Sequence, residues 1–344
     1  MPTREPPDPR PHRARPLPPD LARRLYRLML TARMIDTEAV ALQRQGVFPA
    51  YVSLRGQEAA QVGSAAAMDP ERDFAFPTYR ELAVALTLGV DMVGYLASHR
   101  ALWHGGLYDP MASRFAPINA VVGGPVPHAV GWALGERLAG RTGVAVSYFG
   151  DGASSEGDVH EAMNLAGVLT APVVFVCQNN RWALSVPNER QIAGGSVAAR
   201  AAGYGMAGVT VDGDDLAAVH DATRAALERA RSGGGPTLIE ALTYRAGPHS
   251  TSDDTSRYRD PAEERAWADR DPLVRTRAAL EAAGAADAAF FAAAEAECRA
   301  EAERIRDGVS AAPEPPGTDL FDHVFREPAP HLAAQRRVWE EEVR

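Results

Sequence analysis

The sequence predicts an α/β protein: a mainly parallel sheet with helices on both faces, plus a helical C-terminal extension. Three observations predict it. Short apolar runs, "GVAVSYF", "VVFVCQ", "MAGVTVD" and "PTLIEALTYR", read as buried strands. Segments of helical periodicity separate them, and strands joined through helices pair in parallel. After Pro261 the chain turns Ala/Glu/Arg-rich and reads as helix.

The elements follow in order. Residues 1–19, "MPTREPPDPRPHRARPLPP", are rich in Pro and Arg and nearly free of large apolar side chains, the composition of a disordered or extended arm. Asp20 is placed to cap a first helix that buries Leu21, Leu25, Leu28 and Met29 and stops at Gly46. "RGQEAAQVGSAAAM" reads as a second helix. "FAFPTYRELAVALTLGV" holds a short strand, then Pro77, then a helix from near Tyr79. The loop "INAVVGG" leads into a helix of small residues, which permit close packing or close approach to a ligand. In "EGDVHEAMNLAGVL", Val159, Ala162, Met163 and Ala166 recur at helical spacing, so this segment is a crossover between two strands. Asp212-Gly213 marks a turn before an amphipathic helix, and "AAPEPPGTD" interrupts the helical tail. Residues 20–344 are therefore expected to form one α/β domain, with the helical tail starting at about residue 261.

Composition narrows the function. Of 344 residues, 46% are hydrophobic and 24% charged, ordinary for a globular chain. The net charge of -9 argues against a nucleic-acid partner, which usually meets a basic face. No apolar run reaches the ~18 residues of a membrane span. Two cysteines, Cys177 and Cys298, make neither a disulfide framework nor a zinc cluster. The expected location is the cytoplasm, or the mitochondrial matrix of a eukaryote.

Chemistry concentrates in "GDGASSEGDVHEAMNLAGVLTAPVVFVCQNNRWALSVP". Asp151 follows one strand and Asn180 the next, about 30 residues on, the length of a βαβ unit. Ligands of parallel sheets bind outside the carboxyl ends of the strands. One carboxylate and one amide oxygen suit Mg²⁺, which takes few protein ligands and leaves the rest to phosphate and water. Gly150 and Gly152 allow close approach of an anion, and a helix N-terminus follows. Asp-Gly and Asn-Asn are also ordinary turn chemistry, so the pair alone fits either a Mg²⁺-diphosphate site or two corners.

The pattern of GDG followed by NN resembles the motif of thiamine diphosphate enzymes. The chain from about Leu21 to "LFDHVF" resembles the α subunit of the 2-oxo acid dehydrogenase that begins the large acyl-transferring complexes. "RGQEAAQVGSAAAM", "FPTYRELAVAL", "INAVVGGPVPHAVG", the GDG–NN stretch and "ALTYRAGPHSTSDDTSRYR" carry the resemblance, in that order. It implies a thiamine diphosphate-binding fold. It also implies Mg²⁺ on Asp151, Asn180 and the Trp182 carbonyl, with Gly152 and Ala153 at the diphosphate. Arg80 would bind phosphate with its planar fork and Tyr79 would donate a hydrogen bond. Ala120 and Val122 match positions near the aminopyrimidine and the bend of the cofactor. His249 matches a histidine beside the diphosphate and the incoming lipoyl group, and Ser250 a kinase target of mitochondrial relatives. Gln178 departs from the arginine of mitochondrial branched-chain relatives, and Trp182 stands where many have Tyr or Phe.

Thiamine chemistry also needs an acid at the pyrimidine N1′, which in this family lies on a separate β subunit. The resemblance thus implies two α and two β chains, with a lipoyl-bearing acyltransferase as acceptor and a 2-oxo acid as substrate. "HSTSDD" favours branched-chain 2-oxo acids; pyruvate or acetoin is the alternative, and a degenerate binding scaffold the non-enzymatic one.

Overall fold

The computed structural model describes residues 14–101, 107–327 and 329–343; the first 13 residues of the proposed arm lie outside them. Helices α1 (Pro19–Arg44) and α2 (Glu58–Ala66) precede strand β1 (Phe74–Phe76). Short helices α3 (Leu82–Thr87), α4 (Met92–Ala97) and α5 (Pro110–Ser113) lead to α6 (Pro125–Leu138) and β2 (Ala145–Gly150). Helix α7 (Gly157–Val168) crosses to β3 (Val173–Asn179). A hairpin of β4 (Trp182–Ala183) and β5 (Val186–Pro187) and the short α8 (Asn188–Gln191) follow. Then come β6 (Ala207–Asp212), α9 (Leu216–Arg231) and β7 (Thr237–Leu242). The remainder is helical: α10 (Pro261–Ala268), α11 (Pro272–Ala282), α12 (Ala288–Ala311), α13 (Asp319–Asp322) and α14 (Pro330–Glu342). Among the described residues no helix is long and apolar enough to cross a membrane.

The five-stranded sheet has the order β1-β2-β3-β7-β6, and every pairing is parallel. Side chains alternate across it, as period two requires. Val146, Tyr148, Val174, Val176, Ile239 and Ala241 face α1, α2 and α9. Ala145, Phe149, Val173, Phe175, Cys177 and Leu238 face α6 and α7. Burying each large apolar side chain contributes roughly 1.5–3 kcal/mol, so both helical layers are required. The crossover α7 turns Val159, Ala162, Met163 and Ala166 inward, as its spacing predicts.

Two sequence expectations need correction. Helix α1 starts at Pro19, not after an Asp20 cap: proline at the first helical position has no N–H to satisfy. Asp20 lies in the first turn, paired with Arg23 and favourable to the helix dipole. Helix α3 starts at Leu82 rather than near Tyr79, because Glu81 Oε2 accepts hydrogen bonds from Thr78 N (2.5 Å) and Thr78 Oγ1 (2.6 Å) and holds residues 78–81 in a bend. The C-terminal helical extension is present, and part of it packs back on the domain. Phe291, Ala302, Ile305 and Val309 of α12 join the core on the α1 side, with Phe291 edge-on to Tyr26 at 5.2 Å, whereas α13 and α14 bury nothing.

Gly56 brings the loop before α2 against the exit of β7. Its φ is +92°, and a Cβ there would lie 2.1 Å from the Tyr244 carbonyl oxygen. Gly56→Ala should therefore lower stability by more than about 1 kcal/mol, read as a lower urea midpoint with unchanged slope.

Candidate cofactor site

Strands β2 and β3 are hydrogen-bonded neighbours with Gly150 opposite Gln178. Asp151 and Asn180 therefore leave the same edge of the sheet side by side. Both line one cavity of about 300 Å³, together with Gln57, Tyr79, Arg80, Glu81, Val122, Gly152, Ala153, Gln178, Trp182 and His249.

Asp151 is 1% exposed, and its Oδ2 has no hydrogen-bond partner. Burial pushes this carboxyl up to about 6, against backbone N–H groups, the Asn188 amide and Arg245, which favour the charged form. Asn180 makes two long bonds: its Oδ1 accepts from Trp182 N at 3.2 Å and its Nδ2 donates to Gln57 Oε1 at 3.3 Å. The turn beyond it places Arg181 (φ 74°) and Leu184 (φ 54°) in the left-handed region. The Trp182 carbonyl accepts a long side-chain bond from Arg245 Nη1 at 3.4 Å. An orphaned carboxylate oxygen, an amide oxygen and a weakly engaged carbonyl form a hard-oxygen set that fits Mg²⁺. Among the described residues no three His, Cys, Asp or Glu side chains gather around a metal position, so a cation here must take further oxygens from an anion or water. A Cβ on Gly152 would come within 3.0 Å of Ala183 Cβ.

Across the cavity Arg80 is 6% exposed. Its Nη1 donates to the Ser53 carbonyl, and its Nη2 to the His249 carbonyl at 3.2 Å and near His249 Nδ1 at 3.4 Å. Among the described residues no carboxylate forms an ion pair with it, although Glu81 and Asp36 act on it from further off. Ser53 is held in turn by Asp36, whose carboxylate also accepts from Tyr51 Oη and Leu54 N. The Tyr79 ring stands edge-on to the His249 imidazole, with centroids 6.0 Å apart. Burial first, then Arg80 and Arg245, lower the His249 pKa to about 4; Asp253 opposes them. His249 is therefore neutral at pH 7, able to accept or relay a proton.

A family model described as the dehydrogenase E1 component matches residues 26–317. The chain belongs to the dehydrogenase E1 component family. It is 45% identical over 322 residues to the 3-methyl-2-oxobutanoate dehydrogenase subunit alpha of Mycobacterium tuberculosis (strain ATCC 25618 / H37Rv), covering 94% of this chain and 87% of that one. It is 42% identical over 269 residues to the 2-oxoisovalerate dehydrogenase subunit alpha of Bacillus subtilis (strain 168), covering 76% and 82%. A Bacillus cereus pyruvate dehydrogenase E1 component subunit alpha is 37% identical over 323 residues, covering 94% and 86%.

The structure of this E1 component chain gathers Asp151, Gly152, Ala153, Asn180, Trp182, Tyr79, Arg80, Val122 and His249 at one cavity. Ala120 is not among the lining residues; it is exposed in the loop that precedes α6. Val122, 49% exposed, stands at the rim. Ser250 lies one residue beyond the cavity wall, its Oγ 3.2 Å from Ser252 Oγ.

Sequence reasoning missed the side chains that hold this arrangement. Arg245, 1% exposed, donates to the Leu184 carbonyl and to Tyr258 Oη, both at 2.8 Å. Tyr258 Oη donates to Asp253 Oδ2 (2.5 Å), which also accepts from His249 N (2.7 Å). Glu240 on β7 accepts from Asn179 Nδ2 (2.8 Å), Ser196 Oγ (2.6 Å) and Ala198 N (2.9 Å). Only one hint was available beforehand: a charged residue in the middle of an otherwise apolar strand, as Glu240 is in "TLIEAL".

The His249 imidazole should titrate near pH 4 in histidine NMR spectra of the folded protein, well below the ordinary 6.5. Arg80→Ala removes a cation and opens the pocket, so the midpoint should rise toward 6.5. A wild-type midpoint at 6.5 would place the ring in water instead.

Proposed function

We propose that this chain is the α subunit of a thiamine diphosphate- and Mg²⁺-dependent dehydrogenase that decarboxylates branched-chain 2-oxo acids oxidatively and passes the acyl group to lipoamide. The observation that carries the reading is a buried guanidinium, Arg80, with no ion-pair partner among the described residues, lining the same cavity as an orphaned carboxylate oxygen of Asp151. That pair suits an anion with a divalent cation on it. Membership of the dehydrogenase E1 component family supports diphosphate as the anion. Relatives with branched-chain names at 45% and 42% identity support the substrate class over pyruvate, whose named relative stands at 37%.

Thiamine diphosphate, when bound, supplies the electron sink for loss of CO₂. The chain's own residues do the rest. Asp151, Asn180 and the Trp182 carbonyl hold Mg²⁺. Arg80, Tyr79 and the backbone at Gly152 and Ala153 bind the diphosphate. Val122 supports the cofactor by apolar contact at the rim. His249, neutral and next to Arg80, accepts and returns a proton during acyl transfer. The acid facing the pyrimidine comes from a β subunit, giving two α and two β chains that act on a lipoyl-bearing acyltransferase component. The proposed location is the bacterial cytoplasm, or the mitochondrial matrix in a eukaryote.

Asp151→Ala should remove most Mg²⁺-dependent binding of thiamine diphosphate in calorimetry, since one of two side-chain oxygens on the cation is lost. Unchanged affinity would sink the site.

Turnover should require the β subunit. The reconstituted complex, screened against 3-methyl-2-oxobutanoate and pyruvate with an artificial electron acceptor, should show the higher kcat/KM for the branched acid. The reverse order would make this a pyruvate dehydrogenase α subunit.

A further inference from the structure

We propose that Gln178, Glu81 and Gln61 are positioning residues for Arg80: a buried relay that sets the guanidinium at its anion-binding position and ties it to the strand carrying the cation ligands. This rests on the reading of the cavity as a Mg²⁺-diphosphate site. All three side chains are essentially removed from water, at 2%, 1% and 0% exposure. Gln178 Nε2 donates to Glu81 Oε1 at 2.6 Å. Gln61 Nε2 donates both to Gln178 Oε1 and to the Arg80 carbonyl, each at 3.0 Å, while its Oε1 accepts from Ala83 N at 3.1 Å.

The polarity of this chain follows from one carboxylate. Ionised Glu81 can only accept. Burial raises its pKa, but the donors from Thr78 and Gln178 favour the charged form. Facing it, Gln178 must present nitrogen and so turns its oxygen to Gln61. Gln61 must then present nitrogen to Gln178, which leaves its oxygen for Ala83 N. Each amide has one orientation, and together they hold residues 78, 80, 81 and 83.

That matters because residues 77–81 belong to no helix or strand. Buried peptide groups in such a stretch need partners from elsewhere, and here side chains supply them. Fixed on both sides, Arg80 reaches the Ser53 and His249 carbonyls and the cavity. The other end of the relay is on β3, two residues before Asn180. Gln178 therefore acts on the anion through the placement of Arg80, without bringing a charge of its own. A misplacement of about 1 Å at such a group costs on the order of 10²-fold in a reaction; binding should be less sensitive.

The test uses the full-length chain, with inorganic pyrophosphate and Mg²⁺ as calorimetric probes and the melting temperature followed in parallel. Gln178→Leu keeps the volume and cuts the relay. It should weaken pyrophosphate about tenfold, a coupling typical of groups sharing one network, and also lower the melting temperature, because Glu81 Oε1 and Gln61 Nε2 lose a buried partner. Glu81→Gln should act in the same direction, because a donor at position 81 reverses Gln178 and sets its nitrogen against that of Gln61. In an Arg80→Ala background neither change should weaken pyrophosphate further. If Gln178→Leu does not fold, Glu81→Gln decides. A lower melting temperature with wild-type pyrophosphate affinity makes the relay merely structural and overturns the proposal, as does an undiminished effect in the Arg80→Ala background. Failure of the wild-type chain to bind Mg²⁺-pyrophosphate overturns the reading of the cavity, and this proposal with it.

Discussion

Removing a guanidinium from water costs several kcal/mol unless acceptors replace the solvent. Arg80 is 6% exposed, yet its partners are two carbonyls and an imidazole, all neutral. Glu81 and Asp36 attract its positive charge without pairing with it, and the surrounding architecture is arranged to keep it at the wall of a cavity. Asp36 fixes the loop that offers Ser53, and the relay through Gln61, Gln178 and Glu81 fixes the backbone on either side of Arg80. An anion entering the cavity relieves that charge, so binding energy is prepared in the folded chain before any ligand arrives.

The opposite wall is its electrostatic complement. Asp151 is a carboxylate whose burial raises its pKa to about 6. It has an oxygen without a donor, next to a helix N-terminus one turn further on. A cation on that oxygen would favour the ionised form, and the anion on Arg80 would supply the oxygens the cation still needs. Each wall would make the other's ligand more favourable, so that a single carboxylate, Asp151, would be enough to start a divalent-ion site completed by the anion's oxygens.

His249 owes its neutrality first to burial and then to the same crowding of positive charge. Arg80 and Arg245 flank it, and Asp253, which binds its backbone N–H, compensates only in part. The loop bearing it is pinned by Arg245, Tyr258 and Asp253 rather than by regular structure. One buried arginine, Arg245, thereby fixes both the turn after Asn180, through the Leu184 and Trp182 carbonyls, and the loop of His249.

Much of this was legible in the sequence. The alternation of apolar runs and helical segments determines a parallel sheet with two helical layers, because backbone hydrogen bonds and apolar burial admit few other arrangements of such segments. Spacing put Asp151 and Asn180 at successive strand exits, and the ordered motifs named the family. What spacing could not contain was distance across the fold. That β2 and β3 are neighbours, that Arg80 makes no ion pair among the described residues, and that Ala120 is exposed depend on packing between residues far apart in the chain. Gln178 illustrates the difference. In sequence it is a neutral residue at a position where a charged one is expected. In the fold its amide meets a carboxylate from another segment, because the side chains of β3 and of the bend before α3 share one buried space with no water to satisfy them. The sequence alone determined which chemical groups are present; the tertiary structure decided which of them are buried without a partner, because that depends on desolvation and on neighbours far apart in the chain.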